Sequence, residues 1–231
     1  MTPLFDRYAI VDWSASNTPT TGKDSIWIAF AEREGAETRL LETANPSTRS
    51  AAMAMLRQFF RDSLAENKRV FAGFDFPFGY PAGAAAAIAG TPDWRALWHF
   101  LAEAMQDRDD NFSNRFEVLP VARPEPYPTA LPEKRLAEQR TAKAQPVWKL
   151  AFAGSVGSQA ITGIARLEHL RRDPEFAEHV SVWPFETRFA DDLGAPIVLA
   201  EIYPSLAAIE KGEKSCLDEA QVEAIAREVE A

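Results

Sequence analysis

The sequence has a single cysteine, Cys216, among its 231 residues, so the chain cannot form an internal disulfide bond. Its three histidines (99, 169 and 179) do not have the spacing of a metal site. No apolar run approaches the roughly 18 residues that a membrane-spanning helix needs, and the first residues lack the pattern of a secretory signal. These absences predict a soluble, cytoplasmic protein with no membrane partner.

Positive charge is also scarce, because 25 Lys and Arg stand against 34 Asp and Glu, for a formal net charge of −9. This balance argues against a protein that coats nucleic acid through bulk electrostatic attraction. The charge is uneven: from Arg115 to Lys149, seven basic and four acidic residues give +3, which leaves −12 for the rest. A nuclease is still compatible with this charge, since metal-binding carboxylates would contribute to it.

The composition is that of an ordinary globular protein, with 46% hydrophobic and 26% charged residues. Hydrophobic periodicity predicts an α/β fold in a single domain spanning residues 1–231. Three strands joined by short turns form an antiparallel meander, and parallel strands follow, so we expect a mixed five-stranded sheet with helices on both faces. The predicted elements are strands at 8–13, 25–30 and 38–43, a helix at 48–66, a strand at 69–76, a helix opened by Thr91 and Pro92, a helix after 154–158, strands at 180–185 and 197–202, a short helix after Pro204 and a last helix from about Asp218.

The segment at about 111–149 has no clear periodicity apart from a candidate helix at 133–144. An irregular stretch of this length is typical of a lid or binding arm, and the alternative is an ordinary surface loop. Because the segment is locally basic, we predict that Arg115, Arg123 and Lys149 contact phosphate groups, with Trp148 beside them. It contains six prolines, at 120, 124, 126, 128, 132 and 146.

Two aspartates lie at the ends of predicted buried strands. Asp12 follows Ile10-Val11, and Asp75 lies within Phe74-Asp75-Phe76-Pro77-Phe78. Because α/β folds bind ligands at the carboxyl ends of their strands, both positions favour a site. A carboxylate among phenylalanines is costly unless a partner compensates its charge, and a shared divalent cation would do so. The alternative for each aspartate is a turn-forming or turn-capping role.

Two later acids have similar settings, Glu186 after a predicted strand and Glu201 near the end of another. Four oxygen donors without a His or Cys cluster favour Mg²⁺ or Mn²⁺, and Asp12, Asp75, Glu186 and Glu201 are the predicted ligands. Such a site supports in-line attack on phosphorus. Glu201 and Glu186 each have an ion pair as the alternative.

Substrate contacts are also predicted at two serine-containing turns. Ser14 follows Asp12 directly, and Ser155 and Ser158 open a helix whose amino terminus could hold a phosphate. The alternative for the second turn is a tight loop with ordinary serine caps.

Three segments resemble the DUF429 family of predicted nucleases with an RNase H-like fold. They are Val11-Asp12-Trp13-Ser14, Phe74-Asp75-Phe76-Pro77-Phe78-Gly79 and Glu201-Ile202-Tyr203-Pro204-Ser205. A fourth, Gly157-Ser158-Gln159-Ala160, is similar to a helix entrance of that family but lacks its lysine. The resemblance implies an RNase H-like sheet with Asp12, Asp75 and Glu201 in an acidic catalytic centre. It further implies a catalytic acid from the final helix, for which Asp218 is in place, although a capping box explains Asp218 equally well.

These observations lead to one principal functional hypothesis, a metal-dependent phosphodiester hydrolase using Mg²⁺ or Mn²⁺ on nucleic acid or a nucleotide-like, phosphate-containing small molecule. The first alternative is a non-catalytic binding or assembly protein, for which the family resemblance implies a place in molybdopterin or cobalamin biosynthesis. The second is a small-molecule phosphotransferase, which the absence of a glycine-rich phosphate loop after the first strand disfavours.

Overall fold

The computed structural model of the chain describes residues 4–119, 130–141, 144–151, 155–190, 193–204 and 216–228. The chain divides into two compact units. The first comprises Met1–Asp75, Asp109–Asn111 and Pro174–Ala231, and the second comprises Phe76–Arg108 and Phe112–Asp173. The Pro-rich segment at about 111–149 therefore belongs to the second unit, apart from Asn111.

The described residues of the first unit form a six-stranded mixed sheet in the order β3-β2-β1-β4-β6-β5. The first three strands are an antiparallel meander, and β1, β4, β6 and β5 pair in parallel. The predicted meander followed by parallel strands is confirmed. The predicted count of five strands is wrong, because the short β5 adds to the edge of the sheet beside β6. The strands are β1 (Arg7–Asp12), β2 (Trp27–Glu34), β3 (Glu37–Ala44), β4 (Val70–Phe74), β5 (Val180–Trp183) and β6 (Ile197–Glu201).

Two helices, α1 (Arg49–Ala65) and α7 (Leu217–Glu228), cover opposite faces of this sheet. Successive side chains of β1 show the alternation: Arg7 donates to Ser63 Oγ of α1 at 3.2 Å, whereas Tyr8 packs in the apolar cluster that includes Val222 of α7. Strands covered on both faces have continuous apolar sequences, which is why β1, β4 and β6 were recognisable as buried.

The described part of the second unit is helical. Its helices are α2 (Ala84–Ala89), α3 (Trp94–Ala104), α4 (Arg115–Val118), α5 (Leu136–Arg140) and α6 (Val156–Arg172). The predicted start of α3 at Pro92 with a Thr91 cap is wrong by two residues, because Asp93 Oδ1 caps the helix by accepting the Arg95 N–H at 3.0 Å. Within the described ranges, no helix has both the length and the apolar character needed to cross a membrane.

Two glycines of α6 allow close packing in the second unit. A Cβ atom at Gly163 would lie 2.3 Å from Phe76 Cζ, and one at Gly157 would lie 2.2 Å from the Val147 carbonyl oxygen. Because real Cβ atoms do not approach other atoms so closely, both positions require glycine. Gly157 therefore has a packing role at the start of α6.

A buried arginine at the start of α1 organises the loop that follows β1. Arg49 is 0% exposed, and its guanidinium donates to the carbonyl oxygens of Ser14 at 3.2 Å, Ser16 at 2.7 Å and Asn111 at 2.6 Å. Asn111 Oδ1 in turn accepts the Arg49 backbone N–H at 2.8 Å. The planar guanidinium thus connects carbonyl groups of two chain segments that have no regular secondary structure.

Replacing Arg49 by lysine should destabilise the first unit, because an ammonium group cannot reproduce the fork of donors and leaves buried carbonyls unpaired. We expect Arg49→Lys to lower the free energy of unfolding by about 2 kcal/mol or more, measured by urea denaturation. Arg39→Lys, at an exposed ion pair with Glu34, is the matched control and should change it by less than about 1 kcal/mol. Equal effects of the two substitutions would contradict this role of Arg49.

Candidate functional site

Parallel pairing of β1 with β4 places Asp12 beside Asp75. In the ladder Val11 is the partner of Phe74, and the Asp75 N–H donates to the Val11 carbonyl at 3.1 Å, which extends the ladder by one residue. Partners in a parallel ladder project from the same face of a sheet. The two aspartates therefore lie side by side on the face that carries α7, at the carboxyl ends of their strands.

Hydrogen bonds hold this pair in one arrangement. Asp75 Oδ1 accepts the backbone N–H of Trp13 at 2.7 Å, so the carboxylate takes the place that a ladder carbonyl would occupy. The Asp12 and Asp75 side chains are close enough for each to change the pKa of the other. Because a carboxylate is only an acceptor, the two can hydrogen-bond to each other only when one carries a proton.

The environment disfavours two negative charges at this position. Burial raises the pKa of Asp12 well above its ordinary value, and the neighbouring charge of Asp75 raises it further. Burial also raises the pKa of Asp75 to about 6, although hydrogen bonds from Asp12 and the Trp13 N–H partly offset that rise. The charge of Asp218 raises the pKa of both. Charge that the fold leaves uncompensated is a physical signature of functional sites.

The structure brings Asp218 near the pair. It lies in the first turn of α7, which begins one residue earlier at Leu217, and its Oδ2 accepts the Asp24 backbone N–H at 2.7 Å. Asp24 belongs to the β1–β2 connection and has φ of 58°. Asp218 therefore anchors that connection to the last helix, a contact between residues 194 positions apart that no local sequence pattern indicates.

Glu201 projects from the other face of the sheet. Its partner in the β4–β6 ladder is Phe74, and the Ile202 N–H donates to the Phe74 carbonyl at 2.8 Å, which pairs Ile202 with Asp75. Because side chains alternate along a strand, Ile202 shares the face of Asp75 and Glu201 does not. The structure thus places Glu201 apart from the predicted carboxylate cluster.

Glu186 lies beyond β5, and β5 is three strands from β1 in the sheet. Its Oε2 accepts the Val182 backbone N–H at 2.9 Å, and its own N–H donates to the Val182 carbonyl at 2.9 Å. These bonds close the turn after β5. The structure therefore does not bring Glu186 to Asp12 and Asp75.

The donor atoms of this site are of the type that Mg²⁺ prefers, but the site supplies only some of the ligands that the cation needs. Asp12 and Asp75 supply oxygen donors with uncompensated charge, and Mg²⁺ is commonly held by one or two carboxylates with water and substrate oxygens. No group of three or more His, Cys, Asp and Glu side chains with the geometry to hold a metal occurs among the described residues. Any cation at this pair would therefore take its remaining ligands from water, from the substrate or through water from Asp218.

The predicted substrate contact Ser14 lies close to Asp12 in the chain, but its hydroxyl and carbonyl groups make hydrogen bonds within the protein. Its Oγ donates to the Asp24 carbonyl at 3.2 Å, and its own carbonyl accepts from Arg49 at 3.2 Å. Sequence reasoning did not identify Arg49 or Asp24. The Arg49 guanidinium binds backbone carbonyls, and Asp24 takes part through its own backbone N–H and carbonyl, and contacts of backbone atoms leave no residue pattern.

The other described substrate-contact predictions belong to the second unit. Arg115 and Ser158 come together there, with the Arg115 Nε donating to Ser158 Oγ at 3.2 Å. Ser158 is buried and its Oγ donates to the Leu150 carbonyl at 2.6 Å. Lys149 Nζ donates to Gln145 Oε1 at 3.1 Å. Ser155 is the residue before α6 and makes no side-chain cap bond.

Several predictions fall outside the described residues. They are the phosphate contact Arg123, Gly154 of the glycine-serine turn, Ser205 of the third family-like segment, the short helix after Pro204, and the prolines at 120, 124, 126 and 128.

The raised pKa values predict an unusual dependence of stability on pH. The folded protein binds the proton of Asp75 more tightly than the unfolded chain does, so this stabilisation is present at low pH and is lost as pH rises through about 6. Without divalent cations, Asp75→Asn should therefore be more stable than the wild type at pH above about 7, by on the order of 2 kcal/mol. The measurement is urea denaturation in EDTA across that pH range; equal stabilities above neutrality would refute it.

Comparison of the chain with protein-family models, with curated proteins and with solved structures found no match.

Proposed function

We propose that this chain is a metal-dependent phosphodiester hydrolase with an RNase H-like fold, acting on nucleic acid or a nucleotide-like molecule. The observation that carries the proposal is the pair Asp12 and Asp75, held on one face at adjacent strand ends with raised pKa values. Two half-buried carboxyl groups at the carboxyl ends of adjacent strands repel each other when ionised, and a shared Mg²⁺ or Mn²⁺ would compensate both.

The topology supports the RNase H-like part of the proposal. A three-strand antiparallel meander leads through the crossover helix α1 to β4, which returns parallel to β1. This is the arrangement expected from the family resemblance, and the last helix contributes an acid, Asp218, at the same face. The resemblance also implied Glu201, but the β4–β6 register favours a centre without it.

Each residue of the proposed centre has a distinct part. Asp12 and Asp75 would hold the cation, and the Trp13 N–H orients the Asp75 carboxylate. Asp218, which accepts the Asp24 N–H, adds negative charge near the pair. A bound divalent cation would supply activation of the attacking water and stabilisation of the leaving oxygen.

One observation favours the non-catalytic alternative. Because the raised pKa values of Asp12 and Asp75 favour their protonated forms, a proton alone can compensate the pair. A protein that used them only in this way would gain nothing from divalent cations. The response of stability to metal therefore separates the two functions.

Millimolar Mg²⁺ or Mn²⁺ should raise the melting temperature of the wild type, because a cation that binds only the folded state stabilises it by RT ln(1 + [L]/Kd). At a concentration about 100 times Kd the gain is about 2.7 kcal/mol. Asp12→Asn should remain folded but lose this response, and Glu201→Gln, on the opposite face, should keep it. Thermal melts in EDTA and in each metal test this, and an unchanged melting temperature in the wild type would favour the non-catalytic function.

Catalysis should show the same selectivity. With Mn²⁺ or Mg²⁺ and a panel of single-stranded and duplex DNA and RNA, Asp12→Asn should reduce turnover by more than the roughly 10–100-fold that loss of an outer ligand partner costs. Glu201→Gln should reduce it by much less. A folded Asp12→Asn protein with wild-type turnover would contradict the assignment of Asp12 to the catalytic centre.

A further inference from the structure

An aromatic pair, the partly buried Trp183 and the exposed Phe189, lies at the end of β5 in the first unit. Trp183 is the last residue of β5, and Phe189 lies in the turn that follows, with ring centroids 5.2 Å apart and ring planes at 86°. Phe189 is 73% exposed, more than any other large hydrophobic residue in the described part of the chain.

The aromatic pair and the aspartate pair share one face of the sheet. Trp183 is the ladder partner of Ala200, and Ala200 is the partner of Gly73. Trp183 and Ile202 both pack against the apolar cluster that includes Val222 of α7. Two strand spacings and two residues along β4 separate it from Asp75, a distance between Cα atoms of about 12 Å. Trp183 therefore lies on the same face as the proposed catalytic centre, and the Phe189 ring contacts it.

The turn that contains Phe189 has two residues in the left-handed backbone region, which is unfavourable for side chains of their size. Arg188 and Phe189 have φ of 53° and 59°, which bulky residues rarely adopt. Thr187 is only 8% exposed, and its Oγ1 has no hydrogen-bond partner in the structure as described. Strain and an unpaired buried hydroxyl in one turn are typical of segments that serve a ligand.

Backbone hydrogen bonds nevertheless hold this turn firmly. The Arg188 N–H donates to the Pro184 carbonyl at 2.9 Å, and the Ala190 N–H donates to the Thr187 carbonyl at 3.0 Å. The turn therefore maintains the exposed position of Phe189 and does not fold the ring back onto the protein.

We propose that Trp183 and Phe189 form a stacking subsite for an unpaired nucleobase of a single-stranded nucleic acid; this rests on the proposed function of the aspartate pair. Aromatic side chains stack on the face of any base, so this contact needs no particular base sequence. Bases in a duplex are already stacked on each other, so the subsite selects single strands.

The test is a binding titration of a short labelled oligothymidylate by fluorescence anisotropy, in EDTA and again in millimolar Ca²⁺. Phe189→Ala should weaken binding about tenfold, in keeping with the loss of one stacked base. Phe189→Trp should retain binding, whereas Phe189→Leu, which keeps apolar area without an aromatic face, should not. Phe112→Ala is the matched control, since Phe112 is 55% exposed and belongs to the second unit.

Two further ligands make the result specific. An abasic oligonucleotide of the same length should bind the wild type and Phe189→Ala equally, because it offers phosphates but no base. A duplex should bind more weakly than the single strand. Wild-type binding by Phe189→Ala, or no oligonucleotide binding by the wild type in either condition, would overturn the subsite.

The subsite and the catalytic proposal can fail separately. Hydrolysis that depends on Asp12, together with unchanged binding by Phe189→Ala, would refute the subsite alone. Base-dependent binding that Phe189→Ala weakens, without hydrolysis in any metal, would refute catalysis alone. If Phe189→Ala instead abolished a concentration-dependent self-association seen in analytical ultracentrifugation and oligonucleotides did not bind, the rings would belong to an interface between two copies of the chain.

Discussion

The parallel ladder between β1 and β4 is the interaction on which the rest of the first unit depends. It joins the antiparallel meander to the parallel half of the sheet, and it requires α1 to cross over between the two strands. The same ladder brings Asp12 and Asp75 to adjacent positions, so the pairing that completes the sheet also places two acidic side chains side by side. Burial and the charge of Asp218 raise the pKa of both aspartates, and the charge of Asp75 raises that of Asp12 further, so a proton or a cation would compensate the pair.

Contacts remote in sequence hold the surroundings of this pair in place. Arg49 fixes the carbonyl groups of the loop after Asp12, and Asp218 fixes the connection that contains Asp24. Neither contact touches the carboxyl pair directly. Together they limit the freedom of the chain around it, so that a cation or substrate would meet a site that needs little reorganisation.

Much of the secondary structure could be predicted from local pattern. The buried strands are continuous apolar runs, and the long helices α1 and α6 have clear apolar periodicity, so their positions follow from side-chain burial alone. Helix starts were less accurate: Asp93 rather than Thr91 caps α3, because capping depends on one hydrogen bond and not on periodicity. The predicted sheet had five strands and the observed sheet has six, because the pairing of β5 with β6 at the sheet edge joins segments that local pattern does not connect.

The candidate site divides in the same way. The sequence by itself determined that Asp12 and Asp75 end buried strands, because an acid that interrupts an apolar run is visible in the chain. Only the tertiary structure decided which acids meet. A shift of one residue in the β4–β6 register would exchange Ile202 for Glu201 on the face of Asp75, and no local pattern encodes that register. The positions of Asp218 and of the aromatic pair Trp183 and Phe189 were decided likewise, by the packing of α7 and the pairing of β5 with β6, which join parts of the chain far apart in sequence.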